Sequence, residues 1–353
     1  MKILSVTNNP NKVEYDKPTQ SGSDTGWNML PSLFVRHGID FLGIGLYELK
    51  NFYSVYLKFK PDLIIVEWIP AALVPILFKQ LRLVKCPITH NWGDYYAEFI
   101  PRYPAWLSRL IDKSAPAYST KGGLFMIRPK WLLKFMEYYS VKHADFVTTV
   151  SRRNEALAKK YGKKVHFIPH GYWPAKPTRV DLSLIQTGKD HLKVVYVGSL
   201  SRGKFVDVMI EGVRGLKCDL FLFGRPNPEL EVGAPPNVHF MGYVDETEVI
   251  SVLKQADIVT SMNDQDCNYK FIEFIAARKP ILTHDGLPAN VFKHRETAYL
   301  TKDFRSGLLD LLQDEKLRHT LSDNMASLQV FTWDEIIEKY IGVYQQYLAN
   351  HKQ

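Results

Sequence analysis

Glu273 is the residue of this 353-residue chain whose neighbours point most directly to chemistry. It lies in the run Asn268-Tyr269-Lys270-Phe271-Ile272-Glu273-Phe274-Ile275-Ala276-Ala277-Arg278-Lys279-Pro280, which reads as a turn, a short helix and the start of a strand. Phe271, Phe274 and Ile275 recur at helical spacing and should face a core. Glu273 is expected in the first turn, with its carboxylate facing the positive end of the helix dipole. The amides near Asn268, Tyr269 and Lys270 are then expected to be free for an anion, phosphate above all. One short helix would so offer amides to a phosphate and a carboxylate to a sugar hydroxyl. A carboxylate that merely complements the dipole explains the same residues, and this stretch alone does not decide between the two.

Five further groups follow strand-like runs. Ser21-Gly22-Ser23-Asp24-Thr25-Gly26 precedes a helix near Trp27. Glycine permits close backbone approach to a ligand, though a polar loop capped by Asp24 reads equally well. His90 closes Pro87-Ile88-Thr89 and is followed by Asn91-Trp92-Gly93-Asp94. A histidine at a strand end can polarise a substrate hydroxyl, and Asp94 can bind acceptor hydroxyls. A buried structural histidine is the plain alternative. Val197-Gly198-Ser199-Leu200-Ser201-Arg202-Gly203-Lys204 joins a strand and a glycine turn to cations at an expected helix start, which suits a diphosphate. It lacks the glycine–lysine–hydroxyl run of a Walker loop. Phe223-Gly224-Arg225-Pro226 and Met241-Gly242-Tyr243-Val244-Asp245 each set a glycine after a strand. Main chain there can read a base edge, and Tyr243 can supply a stacking face. Ordinary surface loops account for these three as well.

The elements that must hold these groups alternate along the chain. Strand candidates are 3–7, 39–43, 63–67, 88–90, 146–150 and 165–168, separated by helical stretches such as 27–36, 71–83, 130–143 and 151–161. After Pro169-His170-Gly171-Tyr172-Trp173-Pro174 the pattern lapses, and a second series begins at Val194. Its strands are 194–198, 220–223, 238–241, 258–260 and 280–283, and a final amphipathic helix starts at Trp333. Such alternation predicts α/β architecture with two doubly wound, Rossmann-like parallel sheets. The expected division is an N-terminal domain over 1–175, a linker over 176–190, a C-terminal domain over 191–332 and a closing helix over 333–353. Ligands of such sheets bind outside the carboxyl ends of the strands, where the groups above fall.

Composition narrows the partners. The hydrophobic fraction of 46% suffices for packed cores, and the net charge of +8 favours an anionic partner. The three cysteines, Cys86, Cys218 and Cys267, are scattered and suit a reducing, cytoplasmic setting. No Cys/His group has metal-site spacing, and no nucleic-acid motif accompanies the basic charge. Met1 to Thr7 is too short for a signal peptide and reads as a strand. The apolar run from Trp68 to Val84 is interrupted by Pro70 and Pro75 and is too short to span a bilayer. The segment 106–136 interleaves Trp106, Phe125, Trp131 and Phe135 with Arg109, Lys121, Arg128 and Lys134. A core-packing helix with solvated cations is its first reading, and a peripheral membrane contact the second.

In order and spacing the motifs resemble the retaining GT-B glycosyltransferases of family 4. The resemblance covers most of the chain and is strongest from Ala144 onward. Ala144 to Ser151 is similar to the family's segment before its interdomain connection, Ile168-Pro169-His170-Gly171 to its Ile-Pro-Asn-Gly, and Val197 to Lys204 to its Val-Gly-Arg loop with a following lysine. Val238 to Gly242 and Ala256-Asp257-Ile258 are similar to its next two strands, and the helix of Glu273 to its donor-site motif. The resemblance implies two domains facing a cleft, with the final helix crossing back to the N-terminal one. It implies that Glu273 binds the ribose hydroxyls of a nucleotide sugar, Lys204 the diphosphate, His90 the donor sugar near the reacting carbon, and Gly22 the diphosphate. Backbone at Asn268, Tyr269 and Lys270 would meet the phosphate or donor sugar.

Three departures stand out. Ser199 replaces the arginine after the strand glycine, so Arg202 or Arg225 is expected on the phosphates instead. Asp264-Gln265-Asp266 stands where a carboxylate is usual, and Asp266 is the expected substitute. Arg278 replaces a glycine at the helix end. The implied activity is transfer of a hexose from a UDP- or GDP-sugar, UDP-glucose favoured, to a hydroxyl of a glycan, lipid or protein-linked acceptor. Neither a metal nor any other cofactor is expected. The competing readings are a GT-B sugar-nucleotide isomerase or phosphorylase, and a sugar-nucleotide-binding protein without turnover.

Overall fold

A computed structural model describes residues 1–7, 30–67, 69, 71–93, 130–174, 185, 187, 190–265 and 268–351. The described residues form two compact units. One holds the chain up to Pro169 together with the helix from Asp334 onward, and the other holds His170–Trp333.

The first unit is a six-stranded, all-parallel sheet. Its strands are β1 (Lys2–Val6), β2 (Asp40–Ile44), β3 (Leu63–Val66), β4 (Ile88–Trp92), β5 (Phe146–Thr149) and β6 (Val165–Phe167), in the order β2-β1-β3-β4-β5-β6. The helices between them are α1 (Leu30–Arg36), α2 (Phe52–Phe59), α3 (Leu73–Gln80), α4 (Lys130–His143) and α5 (Arg152–Lys160). Strands such as Leu63-Ile64-Ile65-Val66 are apolar throughout because both faces of a parallel sheet are covered. On one face Leu4, Val6, Ile64, Val66 and Ile88 pack with Phe52, Ile76, Leu133 and Met136. α4 buries Leu133, Met136, Glu137, Ser140 and Val141, one stripe at helical spacing. α2 has no counterpart among the expected helices: its aromatic residues are packed by Phe52–Phe78 and Tyr53–Phe78 contacts rather than announced by a cap.

The second unit repeats the plan. Its main sheet runs β10-β9-β8-β11-β12-β13, all parallel, from β8 (Leu192–Val197), β9 (Cys218–Phe223), β10 (Val238–Gly242), β11 (Ile258–Ser261), β12 (Ile281–His284) and β13 (Tyr299–Thr301). Helices α6 (Val206–Gly212), α7 (Pro228–Glu231), α8 (Val249–Leu253), α9 (Tyr269–Ala277), α10 (Phe304–Gln313) and α11 (Glu315–Asn324) accompany it. Two short strands, β7 (Gly171–Tyr172) and β14 (Phe331–Thr332), pair apart from the main sheet. They tie Ile168-Pro169-His170-Gly171 to the chain just before Trp333. A Cβ on Gly171 would lie 2.8 Å from the Trp333 backbone, so this closeness requires glycine. Ile185 lies in this unit's core.

The last helix, α12 (Trp333–His351), packs in the first unit from Asp334 onward. Phe34 contacts Tyr340 and Tyr344, and Phe146 stacks on Tyr347 with centroids 3.7 Å apart. Both sheets are doubly wound and Rossmann-like.

Candidate functional site

In the second unit the strand order reverses between β8 and β11, the position at which doubly wound sheets bind ligands. The glycine loops after β8, β9 and β10 are laced together at this edge. The Gly198 amide donates to the Phe223 carbonyl at 2.8 Å, and the Gly224 amide donates to the Gly242 carbonyl at 2.8 Å. A Cβ on Gly224 would stand 2.1 Å from the Gly198 carbonyl oxygen, and one on Gly198 would stand 2.8 Å from the Tyr196 hydroxyl. The Tyr196 hydroxyl donates to the Ser199 carbonyl at 2.9 Å, and the Asn227 amide donates to the Leu200 carbonyl at 2.9 Å. Burial pushes the Tyr196 hydroxyl pKa far up, so it remains a donor.

This lacing holds Ser199 to Lys204 in place. Ser199 and Arg202 are exposed and Lys204 is half-buried. The expected helix start at these cations is corrected: Arg202–Lys204 form a single 3-10 turn, and α6 begins at Val206 after a left-handed Phe205. An aromatic residue there gave no sequence cue for a break. Arg225 and Tyr243 are exposed beyond their strands, while the Val244 side chain is buried.

α9 departs from expectation in two respects. It starts at Tyr269, so Glu273 is its fifth residue and lies in the second turn, where the dipole acts weakly. Its leading amides are also partly taken. The Asn268 side chain caps the helix by accepting from the Lys270 amide at 3.2 Å, and the Phe271 amide donates to the Asn268 carbonyl at 3.0 Å. The other end of the Asn268 amide donates to Ser261 Oγ at 3.0 Å, which pins the helix start to the end of β11.

What distinguishes Glu273 is burial. The residue is 1% exposed, and Lys270 Nζ lies 2.9 Å from Oε2. The ammonium hydrogen-bonds the carboxylate from this side. The Tyr269 hydroxyl hydrogen-bonds the carboxylate and accepts from the Trp333 indole at 3.4 Å. Burial pushes the carboxyl pKa up, while Lys270 and Tyr269 pull it back down. His170 stands edge-on to Tyr269 and Trp333, with centroids 5.8 and 6.1 Å away. The sequence contained all four aromatic and ionic partners but not their convergence, which depends on the β7–β14 pairing.

In the first unit His90 is 1% exposed at the carboxyl end of β4. Its Nδ1 hydrogen-bonds Ser140 Oγ of α4 at 2.7 Å, leaving Nε2 as the nitrogen for any ligand. Burial pulls its pKa down to about 3, so the ring is neutral at working pH. The adjacent Trp92 indole donates to Glu137 at 3.3 Å. Asp94, Gly22 and Asp266 lie outside the described residues. Asp264 accepts from the Leu287 amide at 2.7 Å and sits 3.6 Å from His284. Cys86 and Cys218 are both pushed up to about 12 by burial, which makes poor nucleophiles of them.

Residues 191–314 match the family Glycosyl transferases group 1. Three solved structures are similar over nearly the whole chain. Sucrose-phosphate synthase from Thermosynechococcus elongatus is 15% identical with a TM-score of 0.69, the match covering 99% of each chain. Anabaena HepE in complex with UDP and glucose is 13% identical with a TM-score of 0.64, the match covering 98% of this chain and 100% of that one. A putative UDP-N-acetylglucosamine 2-epimerase from Listeria monocytogenes is 12% identical with a TM-score of 0.57, the match covering 99% of this chain and 97% of that one. No curated protein matches the chain in sequence. The fold is that of GT-B glycosyltransferases, and the family match lies in the second unit.

Proposed function

We propose that the chain is a retaining hexosyltransferase that uses a nucleotide diphosphate sugar, with UDP-glucose favoured over other UDP- and GDP-sugars. The acceptor is a hydroxyl of a glycan, a lipid or a protein-linked sugar. The observation that carries this reading is the Glu273 carboxylate, buried near the carboxyl end of β11 and held by Lys270 and Tyr269. A carboxylate has about four lone-pair sites, and the vicinal hydroxyls of a ribose would donate to those that Lys270 and Tyr269 leave over. Solved relatives in fold hold UDP and UDP-glucose, which supports the choice of donor.

Negative charge develops on the leaving diphosphate, and Lys204 with Arg202 is placed on the loop that would meet it. Asn268, Tyr269 and Lys270 line the approach to the donor sugar, and Asp266 is assigned to its hydroxyls. His90 remains neutral and serves as a hydrogen-bond partner of the sugar through Nε2 rather than as an acid. This chemistry needs no bound metal. Calorimetric titration with UDP, GDP and their glucose conjugates tests the reading. Glu273→Ala and Lys204→Ala should each weaken donor binding at least tenfold, and unchanged affinity in both would remove the site. Proton NMR of the product then reads the anomeric configuration.

Likeness to the Listeria protein favours a second reading, an isomerase of the sugar nucleotide. Epimerised nucleotide sugar formed without any acceptor would establish it.

α4 supports a peripheral membrane contact in a cytoplasmic setting. Trp131, Phe135 and Tyr138 are exposed along one helix face beside Lys134 and Lys142. No helix among the described residues is long and apolar enough to cross a membrane. Co-sedimentation with phosphatidylglycerol vesicles should be lost in a Trp131→Ser/Phe135→Ser variant.

A further inference from the structure

β4 and α4 hold two rings between them, and the way they do so fixes the position of one proton. His90 and Trp92 alternate with Asn91 on β4 and so point to the same face of the sheet. Glu137 and Ser140 lie one turn apart on α4 and so share a face of the helix. The two pairs meet. The Trp92 indole donates to Glu137 at 3.3 Å, and His90 Nδ1 lies 2.7 Å from Ser140 Oγ. The His90 and Trp92 rings stand edge to face, with centroids 6.2 Å apart. In register with His90 are Val66 on β3 and Val147 on β5, both buried and without polar side chains.

The Ser140 hydroxyl decides the tautomer of the ring. A neutral imidazole carries one hydrogen, on Nδ1 or on Nε2, and its other nitrogen is an acceptor. Burial keeps His90 neutral at working pH. A serine hydroxyl has one hydrogen to donate. If Nδ1–H donated to Ser140 Oγ, the serine hydrogen would need an acceptor of its own. Ser140 is buried, and among the described residues Nδ1 is the one hydrogen-bond partner of its hydroxyl. A buried hydrogen without an acceptor is costly, and a hydroxyl that donates to Nδ1 avoids that cost. Nε2 needs a partner from ligand or water in either tautomer, so the comparison turns on Ser140.

We propose that Ser140 is the positioning residue of His90: its hydroxyl donates to Nδ1, the ring hydrogen is thereby fixed on Nε2, and His90 meets its ligand as a hydrogen-bond donor and not as a base. The ligand atom is then an oxygen with a free lone pair, such as that of a sugar hydroxyl. It follows that His90 does not take the proton of an acceptor hydroxyl, because Nδ1 is engaged and Nε2 has no lone pair to offer. That consequence rests on the glycosyltransferase reading, whereas the tautomer does not.

The test uses the full chain with isotope-labelled histidine at pH 7 and proton–nitrogen correlation spectra, with His90→Gln to identify the His90 signals. Nδ1 should resonate as an unprotonated ring nitrogen and Nε2 as a protonated one. Ser140→Ala removes the donor, so the two nitrogen shifts should draw together as the tautomers mix. Ser140→Thr restores a hydroxyl and should return them. A serine that only fills space would leave the shifts unmoved in Ser140→Ala. Thermal midpoints show whether the variants are folded, and the wild-type spectrum decides the tautomer even if neither is. By calorimetry, Ser140→Ala should weaken UDP-glucose binding about threefold and leave UDP binding as it is. The proposal is overturned if the wild type carries its hydrogen on Nδ1, if its two nitrogens already show averaged shifts, or if folded Ser140→Ala keeps the wild-type pattern. The expected tautomer in a protein whose UDP-glucose affinity is indifferent to both Ser140→Ala and His90→Gln would uphold the role of Ser140 and count against a sugar contact at His90.

Discussion

Glu67 and His90 shape the acid stability of the first unit in opposite senses, and the two effects mask each other. The Glu67 carboxyl is at about 7 in the folded state against 4.5 ordinarily. Between those pH values the folded protein holds a proton that the unfolded chain has released, so stability falls as pH rises. A shift of one unit is worth about 1.4 kcal/mol, so the full window is worth about 3 kcal/mol. His90 is at about 3 against 6.5 ordinarily. Between those values it is the unfolded chain that holds the extra proton, so stability falls as pH drops, by about 5 kcal/mol over the window. From pH 4.5 to 6.5 the two slopes cancel, and their sum is flat. Removing either group exposes the other. Relative to the wild type, Glu67→Gln should gain about 1.4 kcal/mol of stability for each pH unit climbed from 4.5 to 6.5. His90→Gln should lose about the same per unit over that range. Other titrating groups contribute equally to both proteins and drop out of the difference. The intercept, which contains any packing cost of the substitution, does not matter. Pulse proteolysis in urea at pH 4.5, 5.5 and 6.5, followed through fragments from residues 1–93, reads the unit that holds both groups. A Glu67→Gln profile parallel to the wild type would mean that Glu67 is ionised throughout, and the argument would fail.

Three further outcomes follow from the second unit. Arg278 ends α9 in the left-handed region, with φ at 55°, where a side chain costs about 1–2 kcal/mol; Arg278→Gly should raise the thermal midpoint by about 2 °C after the added freedom of the unfolded glycine is subtracted. Gly224→Ala places a Cβ 2.1 Å from a carbonyl oxygen, and the loops after β8 and β9 must part; UDP affinity should fall more than tenfold in a protein still folded by circular dichroism. Lys270 is partly exposed and Glu273 is not, so Lys270→Ala strands a buried carboxylate while Glu273→Gln leaves only a solvated ammonium. Urea denaturation should show the larger loss for Lys270→Ala, on the order of 2 kcal/mol.

Much of the scaffold was legible because parallel strands buried on both faces advertise themselves as short apolar runs between amphipathic helices. The bounds of α4 were legible from Lys130 to His143 for that reason. β7 and β14 were not, because each is two residues long and the pairing joins Gly171 to Phe331 across most of a domain. The candidate site divides along the same line. Glycines at strand ends mark loops that must pass close to one another, so Gly198 and Gly224 could be picked out, and the Gly198 carbonyl shows why the second cannot be anything else. Glu273 could be picked out by type and place, but the reason first attached to it, a dipole in the first turn, is not what holds it. Its surroundings are a partly exposed ammonium, a tyrosine and a tryptophan drawn together from residues 270, 269 and 333. Glu67 gave no signal, because a lone acid after an apolar strand is common and its neighbours Thr7 and Asn91 are 60 and 24 positions away. Local pattern therefore finds where ligands bind in such a fold, at the strand ends. Which strand ends adjoin is a property of topology, and at β1 and β3 it is the parallel pairing that sets Glu67 beside Thr7 and lets burial raise its carboxyl pKa.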